Sequence, residues 1–290
     1  MDVHDPDQED PRWGLVEEGM LSPLLEEWRL TYLENHAKWF ELARETNRCA
    51  VWLHQEHFEA GNGGPANDQA PTSVRIYSRA LNGFAAAVTL AERALAIEAA
   101  GAVRPIYEAG FWLSYLASEP LKALEELAVD EDHHAIRREK LLREKFPDDR
   151  ALVSASEARQ AERAARLGKR RPSGVEPVAA KMGPHSGYLE YRLVSSFYGH
   201  LSNHSLNALK QSVGPGAVIN ILGPHETEIP NALYFAVDAM TRTASYFAVM
   251  MKEDRVNGRL IEVRHQLQSL AARPASVPVE GGDESEGGES

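Results

Sequence analysis

Residues 83–100 read GFAAAVTLAERALAIEAA, and this stretch decides the fold class. It is apolar, holds no proline, and its one glycine is Gly83 at its start. Small side chains here permit close helix–helix approach, so the stretch predicts the middle of a central helix running from a Thr72 or Ser73 cap to about Ala100. Gly101 breaks that helix. The segment RPIYEAGFWLSYL, residues 104–116, opens the next one, because a proline in a first turn lacks only an N–H that has no partner there anyway. It is the most aromatic part of the chain and reads as core through about Ser118.

Helical signals continue in both directions. Upstream, Ser22-Pro23 marks a helix start, and no glycine or proline follows until Gly61. Leu25, Trp28, Tyr32, Leu33, Trp39, Phe40, Ala43, Ala50 and Leu53 recur every three or four positions, the pattern of a long amphipathic helix with room for one break. Downstream, Glu119-Pro120 opens a helix over LKALEELAV. Residues 131–146 read as a separate short, charged helix. A sixth, capped by Asp148 or Asp149, is polar on most faces and fits a core poorly. Residues 168–187 hold Gly, Pro, Lys and Arg and read as a mobile loop. Further helices are expected over about 188–211, 230–252 and 257–272. AVINIL, residues 217–222, is the one β-like run, suited to an extended stretch or a small hairpin. The sum is an all-α bundle of about seven to nine helices. One helical domain is expected over 13–272, with a polar insertion at about 130–187. Residues 1–12 and 273–290 read as disordered acidic tails.

Composition narrows the function classes. The chain has 290 residues, 31 Lys and Arg, 43 Asp and Glu, and a net charge of −12. That field repels nucleic acid and anionic membrane at long range. The first ten residues hold five acids and the last eight hold four. One stretch runs the other way, with Arg163, Arg166, Lys169, Arg170 and Arg171 inside nine residues, but no aromatic side chains interleave to stack bases. No apolar run reaches the roughly 18 residues of a spanning helix, and the acidic start lacks a signal peptide. The single cysteine, Cys49, forms no intramolecular disulfide, so the expected compartment is the cytoplasm. Walker A, G-x-G-x-x-G, G-x-S-x-G and zinc-finger spacings are all absent, so no motif names a cofactor.

Two polar clusters interrupt apolar helices. Arg104 and Glu108 are four residues apart, on one helix face, amid Ile106, Phe111, Trp112 and Leu113. A charge in such surroundings is costly unless paired, so the pair reads either as a structural ion pair or as the anion-binding and acid/base part of a site. The second cluster is Tyr198-Gly199-His200-Leu201-Ser202-Asn203-His204. His200 and His204, again four apart, have a metal-compatible spacing. The glutamate of H-E-x-x-H is missing, and a third ligand such as Glu108 would have to come from elsewhere, so metal content stays open. The candidate site is therefore Arg104, Glu108 and His204 as the reacting groups, with Tyr198, His200 and Ser202 lining it. His54 and His57 read as surface positions near a helix end, and Cys49 as a core or boundary thiol.

An arginine and a glutamate four later on an aromatic helix (Arg104, Glu108), followed about 90 residues on by Tyr198, Leu201, Ser202 and His204 in Tyr-x-x-Leu-Ser-x-x-His, resemble the bacterial all-helical proteins grouped as domain of unknown function 5677. The resemblance covers roughly residues 75–250. It implies a helical domain in which Arg, Glu and His meet in one site, and it implies no reaction. A looser likeness is to the HEPN helical bundles. Their nucleases place an Arg and, four to six residues later, a His on one helix, and act on RNA as dimers. Arg48 with His54 and Arg259 with His265 meet that spacing, but the polar residue after the Arg is replaced by Cys49 and Leu260. Arg192 and His200 lie too far apart to fit. Three functions follow: a pocket for a small anionic or nucleotide-type ligand, a non-enzymatic interaction protein, or an RNA-cleaving effector of a defence or toxin system. A homodimer is the expected assembly, with a small-molecule or protein partner. Nucleic acid is disfavoured by charge, and no membrane partner is expected.

Overall fold

The computed structural model describes residues 18–61, 68–182, 187–199, 206, 209–214, 217–220 and 224–272. The acidic stretches 1–12 and 273–290 lie outside these residues. The described chain is all-α, a helical bundle with one two-stranded hairpin. Its helices are α1 (Leu24–Asn35), α2 (Ala37–His57), α3 (Gln69–Ala91), α4 (Ala96–Gly101), α5 (Arg104–Ser118), α6 (Pro120–Lys145), α7 (Arg150–Leu167), α8 (Val175–Ala180), α9 (Tyr188–Val194), α10 (Ile229–Met251) and α11 (Asn257–Ala271). Eight of these have twelve residues or more.

The first amphipathic stretch does break, at His36, whose φ of −115° and ψ of 27° leave the helical region. Ser22 Oγ accepts from the Leu24 amide at 3.3 Å, which satisfies one of the free N–H groups at that helix start. The central stretch departs from expectation at both ends. Helix α3 starts at Gln69 after Asp68, ahead of Thr72 and Ser73, and Pro71 sits harmlessly in its first turn. It also stops at Ala91. Ala94 adopts φ +53°, its amide donates to Ala91 O at 2.9 Å, and the Leu95 amide donates to Leu90 O at 3.0 Å. This is a Schellman closure with alanine where glycine is usual. Left-handed alanine costs about 1 kcal/mol. Burial overrides the cost: Ala94 is fully buried and its carbonyl accepts from the His225 amide at 2.8 Å.

Helix α10 is the axis of the bundle. It packs on α5, α3, α2, α4 and α11, and α3 shares the centre with it. Tyr77 of α3 and Phe247 of α10 stack at 4.1 Å in the middle of the core. Where α5 crosses α10, a Cβ at Gly110 would lie 2.8 Å from Thr243 Oγ1, so only glycine permits the approach. Thr243 Oγ1 in turn donates to Ile106 O at 2.9 Å across the same contact.

The described residues from 120 to 182 are more helical than their composition predicts. No separate helix begins at residue 131; α6 runs unbroken for 26 residues, because nothing between 129 and 132 stops a helix. Helix α7 packs antiparallel beside it, and the two form an arm held largely by polar contacts. Glu139 accepts from Arg159 at 2.7 and 2.9 Å, Asp132 from Arg163 and Arg166, and Ser156 Oγ donates to Glu139 O. The expected loop at 168–187 contains α8, whose Val178 and Ala179 are buried against α5. The helix expected to reach Gln211 does not. It passes from α9 into a π-helical turn at Ser195–Gly199, and Lys210 and Gln211 already lie in a strand. That strand, β1 (Lys210–Gly214), pairs antiparallel with β2 (Ala217–Asn220), which realises the small hairpin expected around AVINIL.

Candidate functional site

Arg104 opens α5 and Glu108 follows one turn later. Arg104 Nε donates to Glu108 Oε1 at 3.0 Å, and the Tyr191 hydroxyl of α9 donates to the same oxygen at 3.1 Å. The Arg104 guanidinium lies 5.5 Å from the centre of the Tyr191 ring. Arg104 and Glu108 are 30% and 31% exposed, so they sit at the rim of the core rather than inside it. Burial disfavours the Arg104 cation, but Glu108 and Tyr191 more than offset this and raise its pKa. Burial also raises the Tyr191 phenol, and the neighbouring Glu108 charge adds to the rise. Aromatic packing fixes α9 in place, with Phe111 edge-on to Tyr191 at 5.7 Å and Tyr188 stacked on it at 5.8 Å.

The turn that follows brings the start of the second motif to this pair. A Cβ on Gly199 would lie 3.7 Å from Arg104 Cδ, and a Cβ on Gly101 would lie 3.4 Å from Tyr198 O. The Tyr198 hydroxyl hydrogen-bonds Glu228, and its pKa is raised by burial and then by that carboxylate. Arg104, Glu108 and Tyr198 are thus gathered at one end of α5. His200, Ser202 and His204 lie outside the described residues. Among the described residues no three of His, Cys, Asp and Glu converge as metal ligands.

A second polar cluster lies on the other side of α9. The Tyr107 hydroxyl donates to Asp238 Oδ2 at 2.9 Å, and Arg242 Nε donates to the same oxygen at 2.7 Å. The Arg242 guanidinium also lies 3.9 Å from Glu190. Burial drives the Tyr107 phenol well above its usual range, and the Asp238 charge adds to this. The Arg242 cation is raised despite its burial, chiefly by Asp238. At the head of α9, Gly187 adopts φ +80°, and a Cβ there would meet Arg242 Cδ at 3.0 Å and the Tyr107 ring at 3.3 Å. Sequence reading missed this cluster. Its signal was present, since Asp238 and Arg242 are four apart in an apolar helix, the same pattern that singles out Arg104 and Glu108.

The weaker candidates separate in space. His54 and His57 are half-buried rather than superficial. His54 hydrogen-bonds Ser78 Oγ at 2.8 Å, and its pKa is lowered by burial. His57 packs edge-on to Phe247 and lies 3.6 Å from Glu253. Arg48 points elsewhere, into a groove of about 610 Å³ between α2 and α11. There Arg48 and Arg259 both pair with Glu45, at 2.6 and 2.7 Å. Arg48 and His54 therefore do not meet within one chain. Cys49 is fully buried beneath the groove, and burial pushes its thiol up to about 11. Of the basic run at 163–171, Arg163 and Arg166 pair with Asp132 and Arg170 with Glu125.

No family model, curated protein or solved structure matches the chain. No helix among the described residues is long and apolar enough to cross a membrane.

Proposed function

We propose that the protein binds a small anionic ligand of phosphate or nucleotide type at the junction of α5 and α9. In this reading Arg104 holds the anion, Glu108 and His204 exchange protons with it, and Tyr198, His200 and Ser202 line the pocket. One observation carries the reading: the partly exposed Arg104 and Glu108 and the buried Tyr191 form a polar triad beside a π-helical turn that contains Tyr198, the first residue of the second motif. π-Helical turns recur at functional sites because they aim side chains that a regular helix would not. The resemblance to the domain of unknown function 5677 family supports the same grouping of Arg, Glu and His.

The test is thermal unfolding of the whole protein with inorganic phosphate, AMP and ATP as probes. A probe at about a hundred times its Kd stabilises by about 2.7 kcal/mol, which raises Tm by about 4 °C in a chain of this size. At least one probe raises Tm in the unchanged protein, and Arg104→Ala and His204→Ala each abolish the rise. If no probe shifts Tm, or if Arg104→Ala responds like the unchanged protein, the reading fails.

A further inference from the structure

The outer half of the arm formed by α6 and α7, with the four residues that follow α7, reverses the charge of the chain that bears it. Residues 137–171 carry twelve Lys and Arg against six Asp and Glu, a surplus of six in a chain whose net charge is −12. Beyond Asp132 the polar contacts described above join α6 to α7. At about 1.5 Å per residue, this part of α6 spans about 20 Å. On the face of α6 turned away from α7, Leu141 is 63% exposed. Arg138 precedes it by three residues and Lys145 follows it by four, so both cations flank it on one helix surface. Both are exposed, and neither forms an ion pair among the described residues. The nearby acid, Glu144, is engaged by Lys140.

Helix α1 carries the same pattern with the opposite sign. Leu30 is 59% exposed. Glu27 precedes it by three residues and Glu34 follows it by four, and both are exposed and unpaired among the described residues. The inward face of α1, with Leu25 and Tyr32, packs on α2, while Arg29 reaches Glu92. The Glu27–Leu30–Glu34 stripe therefore faces outward. Each stripe is one exposed leucine between two like charges about 10 Å apart along a helix. Their spacing is identical and their charges are opposite.

We infer that the Arg138–Leu141–Lys145 stripe of the arm docks on the Glu27–Leu30–Glu34 stripe of a second copy of this chain. A leucine buried against a leucine supplies apolar area, and the flanking ion pairs set register and partner choice. Every copy carries one stripe of each sign, so a two-fold arrangement forms the contact twice and closes the assembly as a dimer. Leu142, 37% exposed, is next to Leu141 in the chain, and Lys145 Nζ lies 5.5 Å from the centre of the Phe146 ring.

Sedimentation velocity on the whole protein tests this. The unchanged protein sediments as a dimer at about 20 mM salt, and about 500 mM salt weakens the association at least tenfold, as screening requires. Arg138→Glu with Lys145→Glu sediments as a monomer, and so does Glu27→Lys with Glu34→Lys. Mixing these two variants restores a dimer, because each arm then meets an α1 of opposite charge. A protein that stays monomeric at low salt overturns the inference. So does a dimer that neither salt nor either reversal weakens. The salt series needs no variant, so it decides the matter even if one fails to fold.

Discussion

At the residue scale, the feature of greatest consequence is a carboxylate that two donors share. Asp238 is 6% exposed and accepts from the buried Tyr107 hydroxyl and from Arg242. Removing one partner of such a network strands the others in a medium where water cannot replace it. Asp238→Ala is expected to destabilise the fold by about 3 kcal/mol, measured by urea unfolding. Arg104→Ala leaves Glu108, which is 31% exposed and keeps its bond from the Tyr191 hydroxyl, free to turn to water, and is expected to cost about 1 kcal/mol or less. Equal losses for the two would show that the Asp238 cluster is not the more deeply committed one. Gly187 belongs to the same cluster. Gly187→Ala places a methyl 3.0 Å from Arg242 Cδ at φ +80°, and it should disturb the seating of α9.

At the element scale, the α6–α7 arm shows how polar side chains hold two helices together with little core between them. Ala123, Val129, Ala135 and Glu139 are the buried residues of α6, and Ser156 and Leu167 those of α7. Arg159, with help from Ser156, holds the Glu139 carboxyl down to about 2 from an ordinary value of 4.5. A carboxyl whose pKa is depressed on folding stabilises the fold above its unfolded value. That contribution fades as pH falls from about 4.5 toward about 2. The unchanged protein should therefore lose more Tm between pH 5 and pH 2.5 than Glu139→Gln does, when both are followed by circular dichroism. Matching losses would mean that this carboxyl is no tighter folded than unfolded. The same pairing explains why the basic run at 163–171 is poorly placed to hold a phosphate backbone: Arg163, Arg166 and Arg170 already have carboxylate partners. Helix α6 also shows where composition misleads, since its acidic and histidine-rich middle reads as a break but lies within an unbroken helix.

At the scale of the whole molecule, α10 ties α2, α3, α4, α5 and α11 into one core, and Cys49 reports on that core. The thiol is fully buried and its pKa is raised to about 11. Reaction needs both access and thiolate. Cys49 is expected to resist a disulfide reagent at pH 8 in the folded protein and to react fully in denaturant. Prompt reaction under native conditions would show that the α2–α11 contact opens readily.

Much of this architecture is written along the chain. A 3.6-residue apolar period over 25–53 and 104–116, with prolines Pro23, Pro105, Pro120 and Pro230 at or just inside helix starts, is enough to specify an all-α bundle and the starts of four of its helices. The Arg104–Glu108 pair is legible for the same reason, since four-residue spacing is a local property of a helix. What only the tertiary structure decided is not local. Ala94 turns left-handed because its burial and the His225 amide outweigh an alanine's preference, and nothing in GFAAAVTLAERALAIEAA announces it. Tyr191 joins Glu108 across 83 residues, and Tyr107 joins Asp238 across 131. Pairing over such distances is set by how helices cross, and the crossing is set by which side chains let two helices approach. Gly110 beside Thr243 is one such place, where a single missing methyl lets α5 and α10 meet.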